Sequence, residues 1–356
     1  MTITETISLI CFTFGGFIAA YICNLLLLRF SESLGIRNKN DVTIRWNNLS
    51  KPSLGGVSFF VVFIFFCFVY SILFPEDALF TNRKYIGLFT AGTLAFSMGL
   101  ADDAYNTRPL LKLTAQILCG LIIIYTGTII HLTSNIFFNK FLTVFWVVLL
   151  MNSLNMLDNM DGITGTVVLF ILVACLGSNW LINGLNDSIW STLICTIIGG
   201  IIGFLSYNIH PSKLFMGDAG SQFIGFFVSF ITIDNLWLVG NSANLSFNYI
   251  GVLLVIICFT VPFSDTLSVV INRIRKGKSP MVGGKDHTTH HLVYSGLNDK
   301  QVWVVFLILS ATAAVLTLIS IYSFKVGGKF HYFIPLFSLI VFIYLFSKII
   351  KYKGSI

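Results

Sequence analysis

The sequence predicts an all-α, polytopic integral membrane protein of about 11 transmembrane helices, with its N-terminus outside and its C-terminus in the cytoplasm. Three observations lead there. The chain of 356 residues is 56% hydrophobic and only 10% charged, with a mean hydropathy of +0.86, whereas a soluble domain carries about 25% charged residues. Apolar runs near the roughly 20 residues that a spanning helix needs recur from end to end. Lys and Arg are unevenly shared among the segments between those runs.

The runs lie near 7–29, 54–74, 85–101, 113–130, 138–157, 162–182, 188–206, 221–238, 247–271, 301–323 and 330–350. They are continuous rather than alternating, which argues against a membrane β-barrel. The first begins MTITETISLI, with neither a basic leading region nor a small-residue cleavage site. It is expected to be retained as a span. The segments around 29–51, 108–112, 213, 273–300 and 348–353 hold 17 of the 22 Lys and Arg residues. Arg83, Lys84, Lys140, Lys325 and Lys329 make up the other set. Basic loops stay in the cytoplasm, so the first set is cytoplasmic and the net charge of +7 is a topology signal. A nucleic-acid partner would need a folded basic domain, and the sequence offers none.

Residues 1–356 read as one transmembrane domain with cytoplasmic loops near 30–53, 102–112, 152–165, 207–220 and 272–300. The seven cysteines fall within predicted spans without a C-x-x-C pair, so they are expected to be small apolar packing residues.

The acids are the informative polar residues. Asp102, Asp103, Asp158, Asp161, Asp218, Asp265 and Asp286 gather on the predicted cytoplasmic side, while Glu5, Glu76, Asp77, Asp187 and Asp234 are scattered on the other. An Asp at the centre of a spanning helix costs about 2.5–3.5 kcal/mol, so acids at several helix ends need a purpose. All but Asp265 sit in polar, glycine-containing motifs. GLADDAYNTRPLLKL (99–113) carries adjacent carboxylates, which repel and usually need a cation or shared proton; Pro109 suits the start of the next helix. In MNSLNMLDNMDGITG (151–165), Asn152, Asn155, Asp158 and Asp161 recur every third residue. Such a row drifts by about 60° per step and wraps a helix end; Gly162 marks the turn. In NIHPSKLFMGDAGSQF (208–223), Pro211, Gly217 and Gly220 form a tight loop, and Ser221 with the free amides of the next helix start can face an anion. VPFSD (261–265) places Asp265 on a span, and RIRKGKSPMVGGKDHTTHHL (273–292) adds basic residues and three histidines. Carboxylates attract Mg²⁺ or Mn²⁺, which usually bridge to phosphates, and a basic loop suits the remaining phosphate charge. The expected substrates are a diphosphate and a lipid. The three histidines are also compatible with zinc, although no cysteine lies near them.

The motifs, in their order, resemble those of the polyprenyl-phosphate N-acetylhexosamine-1-phosphate transferases, from about residue 45 to 295. GLADD resembles the first aspartate motif, NSLNMLDNMDGITG the N-x-x-N-x-x-D-G-x-D-G block, and FMGDAGS the most specific block. VPFSD and DHTTHHL resemble the last aspartate and the histidine loop. The resemblance implies transfer of N-acetylhexosamine-1-phosphate from a UDP-sugar to undecaprenyl phosphate, with UMP released and Mg²⁺ (or Mn²⁺) as cofactor. This is the first membrane step of cell-envelope polysaccharide synthesis, at the bacterial cytoplasmic membrane. By resemblance, Asp218 and Asp103 are the metal ligands, and Asp102, Asp103 and Asp265 are catalytic. Asn155, Asp158, Asp161, Asn208, Phe215, His287, His290 and His291 would bind substrate, with Phe215 stacking on uracil. A homodimer is kept open as the assembly.

The sequence departs from the family pattern in three places. Asn159 stands where the family often has Gly. Arg45 and Asn47 replace a Lys and a His of the first cytoplasmic loop. The histidine block reads H-x-x-H-H, unlike both the commoner H-x-H-H and the H-H-H of the phospho-MurNAc-pentapeptide branch. The last point favours a plain N-acetylhexosamine such as N-acetylglucosamine. Two rivals are weaker. An intramembrane prenyltransferase expects N-D-x-x-D-x-x-x-D spacing. A transporter tends to place ionisable groups at mid-membrane and to show repeats.

Overall fold

The computed structural model describes residues 3–30, 51–184, 188–240, 248–279 and 284–351. Arg45 and Asn47 lie outside them. Among the described residues the secondary structure is helical, without strands. Its α-helices are α1 (Ile3–Phe30), α2 (Val57–Leu73), α3 (Arg83–Tyr105), α4 (Pro109–Tyr125), α5 (Ile136–Leu157), α6 (Ile163–Asn183) and α7 (Ser188–Asn208). They continue with α8 (Gly217–Thr232), α9 (Tyr249–Cys258), α10 (Thr260–Arg275), α11 (Thr288–Tyr294), α12 (Asp299–Lys325) and α13 (Pro335–Lys351). Six are long and apolar enough to cross a membrane, and up to eight spans result if each bent pair is one span. The protein is a multi-pass membrane protein.

Every predicted run falls on a helix, with one correction. The run at 247–271 is two helices, α9 and α10, bent by 78° at Phe259. Thr260 Oγ1 turns back to donate to Ile257 O at 2.7 Å, and Pro262 in the first turn of α10 has no N–H to extend the α9 ladder. Further helical structure appears in the histidine loop, where α11 carries His290 and His291.

Short connections make α3 to α8 alternate in direction. The end of α3, the start of α4, the end of α5, the start of α6, the end of α7 and the start of α8 therefore lie together. α8 is the axis of this set: every residue from Ala219 to Thr232 is buried, as expected of a helix apolar all round. It packs against α3 and α5. Two close approaches hold the arrangement. On α7, Gly199 and Gly203 form a small-x-x-x-small pair on which α1 lies; a Cβ at Gly199 would sit 1.9 Å from Thr13 O. On α3, a Cβ at Gly99 would sit 2.3 Å from Asp218 O. The glycine of GLADD thus lets α3 touch the first turn of α8, bringing Asp102 and Asp103 beside Asp218.

Candidate active site

The first cluster forms where α3, α4, α5 and α8 meet. Asn106 caps α3 in the left-handed conformation (φ 49°) and donates its N–H to Asp102 O. The chain then folds back, so Thr107 donates to Asp102 Oδ1 through its N–H (2.9 Å) and its hydroxyl (2.6 Å). Lys112, on the first turn of α4, donates to Asp102 Oδ2 at 2.7 Å and lies 3.4 Å from Asp218 Oδ1. Asn155 Nδ2, at the end of α5, donates to Asp218 Oδ1 at 2.5 Å and to Ser221 Oγ at 2.8 Å. One cation thus sits between carboxylates from two helices. Asp103 Oδ2 accepts the Ala219 N–H at 2.8 Å. The anion at the start of α8 is therefore the protein's own carboxylate, which corrects the expectation that this helix start and Ser221 face a ligand anion.

The second cluster surrounds Asp161. Its Oδ2 accepts the Ser212 N–H at 3.0 Å and lies 3.3 Å from His210 Nδ1 and 3.8 Å from Lys51 Nζ. Lys51 also donates to Ser212 Oγ and stands 5.2 Å from the centre of the Phe215 ring, within cation–π range. Phe215 is fixed by its backbone, which pairs with Pro52 O and the Gly55 N–H. Gly162, at φ +75°, turns the chain into α6. Asn208 is buried at 3% exposure. It accepts the Gly162 N–H at 3.0 Å and donates to Leu214 O at 2.8 Å. Its amide bonds backbone at both ends, so Asn208 is a strut between two loops.

The third cluster is the histidine loop. Asp265 is fully buried and takes the Thr288 N–H (2.9 Å), the Thr288 hydroxyl (2.6 Å) and His287 Nδ1 (3.0 Å). It fixes His287 and the start of α11. Arg273 clamps Asp286 with two bonds of 2.6 and 2.8 Å. Burial works against the Asp286 charge, but the guanidinium outweighs it and holds the carboxyl below its usual range. His290 and His291 are each 2% exposed. Burial first, then the neighbouring positive charge of His287 or Lys276, pushes them down to about 3 and about 4, so both rings are neutral at pH 7.

The row 152–161 joins these clusters. Asn152 faces α4, bonding Gln116, and Asn155 turns to α8. Asp158 caps the end of α5, its N–H on Leu154 O. Asn159 reaches α11 and Asp161 reaches the 208–217 loop. The three-residue drift thus points successive members at different segments. A separate polar cavity of about 260 Å³, lined by Lys84, Asn179, Trp190 and Asp234 among others, lies at the opposite ends of α3, α6, α7 and α8.

Residues 85–235 match the family model of glycosyl transferase family 4. Over that stretch the chain is similar to glycosyl transferase family 4. It is 26% identical over 283 residues to a probable undecaprenyl-phosphate N-acetylglucosaminyl 1-phosphate transferase of Bacillus subtilis, covering 74% of this chain and 73% of the relative. It is 26% identical over 313 residues to the undecaprenyl-phosphate alpha-N-acetylglucosaminyl 1-phosphate transferase of Escherichia coli K12, covering 83% and 79%. With the decaprenyl-phosphate N-acetylglucosaminephosphotransferase of Mycolicibacterium smegmatis it shares 25% over 255 residues, 63% and 62% of the two chains. The family 4 match takes in the first two clusters except Lys51, Pro52 and Gly55; the third lies beyond it.

The donors of the first cluster suit a hard cation. Asp103, Asp218 and Asn155 offer oxygen, and Mg²⁺ is commonly held by one or two carboxylates with phosphate and water completing its shell. Among the described residues no group of three or more His, Cys, Asp or Glu is placed to hold a metal ion, zinc ligands included. Lys112, Lys51, His210 and Thr289 were not among the site residues expected from the sequence. Lys112 had a signal: a lone cation in an otherwise apolar helix beside an acid pair is costly unless paired. His210 and Thr289 gain their meaning only from segments distant in sequence.

Proposed function

We propose that the protein transfers N-acetylhexosamine-1-phosphate, with N-acetylglucosamine as the sugar, from its UDP donor to undecaprenyl phosphate, releasing UMP. The convergence of Asp102, Asp103, Lys112, Asn155 and Asp218 at one end of four helices carries this reading. The relatives' names support the donor and the polyprenyl acceptor. On this reading the cluster faces the cytoplasm, where the basic loops also lie.

An oxygen of the lipid phosphate attacks the β-phosphorus. A new P–O bond forms there, the bond from that phosphorus to the bridging oxygen breaks, and UMP leaves with the electron pair. Phosphoryl transfer needs positioning and charge neutralisation above all. Asp102 has both oxygens engaged, by Thr107 and Lys112, so it acts by holding the Lys112 ammonium toward phosphate. Asp103 and Asp218, with Asn155, would hold Mg²⁺ or Mn²⁺, which when bound supplies positive charge to the diphosphate. Phe215, Lys51 and Asp161 form the nucleotide end, where the ring face suits a base. Asn208 and Asp265 keep the two loops in place. His287, His290 and His291 line the diphosphate and sugar side.

The test is UMP release by purified protein from a panel of UDP-sugars. Release is expected only with polyprenyl phosphate and a divalent cation, and fastest with UDP-N-acetylglucosamine. No UMP from any donor, with lipid and metal supplied, refutes the proposal.

A further inference from the structure

Asn159 Oδ1 accepts a hydrogen bond from Thr289 Oγ1 at 2.5 Å, across 130 positions of sequence. Asn159 Nδ2 donates to Met156 O at 3.0 Å, which fixes the amide on the last turn of α5. Thr289 is fully buried, so its hydroxyl needs this partner. The backbone at Asn159 makes no demand of its own: among the described residues the non-glycine positions with positive φ are Ala78 and Asn106. Glycine, common here in the family pattern, would fit the same backbone and lack only the side chain. What Asn159 adds is the bond. Its partner is one of the two threonines that space this chain's H-x-x-H-H block. Two departures from the pattern therefore meet in one contact.

The neighbours of the pair give it a role. Asn159 follows Asp158 and stands two residues before Asp161, at the nucleotide end. Thr289 sits between Thr288, anchored to Asp265, and His290. We propose that the Asn159–Thr289 bond is a positioning strap that sets the Asp158–Asp161 turn against the histidine helix and thereby tunes the grip on the nucleotide-sugar donor. The inference rests on the function proposed above. A strap that orders both arms before the donor arrives lowers the cost of binding. The Asp102–Lys112–Asp218 cluster is tied by other bonds, so the strap acts on the donor and leaves the lipid phosphate alone.

A double-mutant cycle in full-length protein in lipid nanodiscs tests this. Thr289→Val and Asn159→Ala are each expected to raise KM for UDP-N-acetylglucosamine roughly three- to tenfold, the size of one hydrogen bond, with KM for undecaprenyl phosphate unchanged. The double variant should be no worse than the worse single, and Thr289→Ser, which keeps the hydroxyl, should match wild type. Multiplying effects, a Ser variant as damaged as Val, or an equal rise in the lipid KM would overturn the strap. The same cycle read as Kd for UDP-N-acetylglucosamine needs no turnover. Wild type that binds donor and releases no UMP would refute the proposed reaction while the Kd cycle still judges the strap; failure to bind donor at all overturns both.

Discussion

Lys112→Met removes the one cation the first cluster places between Asp102 and Asp218, while keeping most of the side chain's volume. Lys112 Nζ is 2.7 Å from Asp102 Oδ2 and 3.4 Å from Asp218 Oδ1, and the three side chains are 18%, 9% and 27% exposed. Exposed ion pairs are worth about 0–1 kcal/mol, and breaking a buried one costs about 3–5 kcal/mol. This partly buried group falls between those limits, so a loss of about 2–3 kcal/mol of stability is expected. Activity should suffer more: if the ammonium faces a transferring phosphoryl group, kcat falls by about 10²–10³. Lys84→Met is the internal control. It breaks a Lys–Asp pair at 2.8 Å, to Asp234, whose side chains are 39% and 32% exposed and which lies at the opposite end of α3. Stability should change there by less than about 1 kcal/mol, with UMP release unaltered. Thermal unfolding in detergent and initial UMP rates, measured on both variants, decide the matter. If Lys112→Met keeps activity within a few-fold of wild type, or if the two variants are equally impaired, the charge assigned to Lys112 is wrong.

Two further outcomes follow from the loops around that cluster. His290 and His291 ionise near 3 and 4 in the fold, against 6.5 for an ordinary ring, so between pH 6.5 and about 4 the unfolded chain binds more protons and stability rises with pH. Each ring contributes up to about 1.4 kcal/mol per pH unit in that window. Unfolding temperature in detergent should drop as pH falls below about 6.5, and a His290→Gln/His291→Gln variant should flatten the profile; an unchanged slope contradicts the neutral rings. Asn208→Ala leaves the Gly162 N–H and the Leu214 carbonyl without their partner, at about 1–3 kcal/mol each. It should lower stability by about 2–6 kcal/mol, and denaturation that matches wild type would show that Asn208 is not a strut.

The helices were legible because their signal is local: an uninterrupted apolar stretch needs nothing from the rest of the chain. Where a helix ends was harder, since the break at Phe259 depends on one hydroxyl turning inward and one missing N–H. The acids were legible as a class, because charge in an apolar chain is costly, but their roles were not. Asp102, Asp103 and Asp265 all look like reactive carboxylates in sequence. In the fold, Asp103 caps α8, Asp102 holds Lys112, and Asp265 is sealed behind His287 and Thr288. A carboxylate's role depends on its donors, and those donors come from segments 5 to 116 positions away. The row from Asn152 to Asp161 shows the same rule from the other side. Its three-residue step foretold that its members would face different ways, yet only the packing of α4, α8 and α11 and of the 208–217 loop supplies what each one meets. Asn159, the departure with no reason visible in sequence, acquires its reason from Thr289, itself unremarked until the fold set the two side by side. Exchanging either residue alone removes half of the contact in this chain, so the two positions should be varied together.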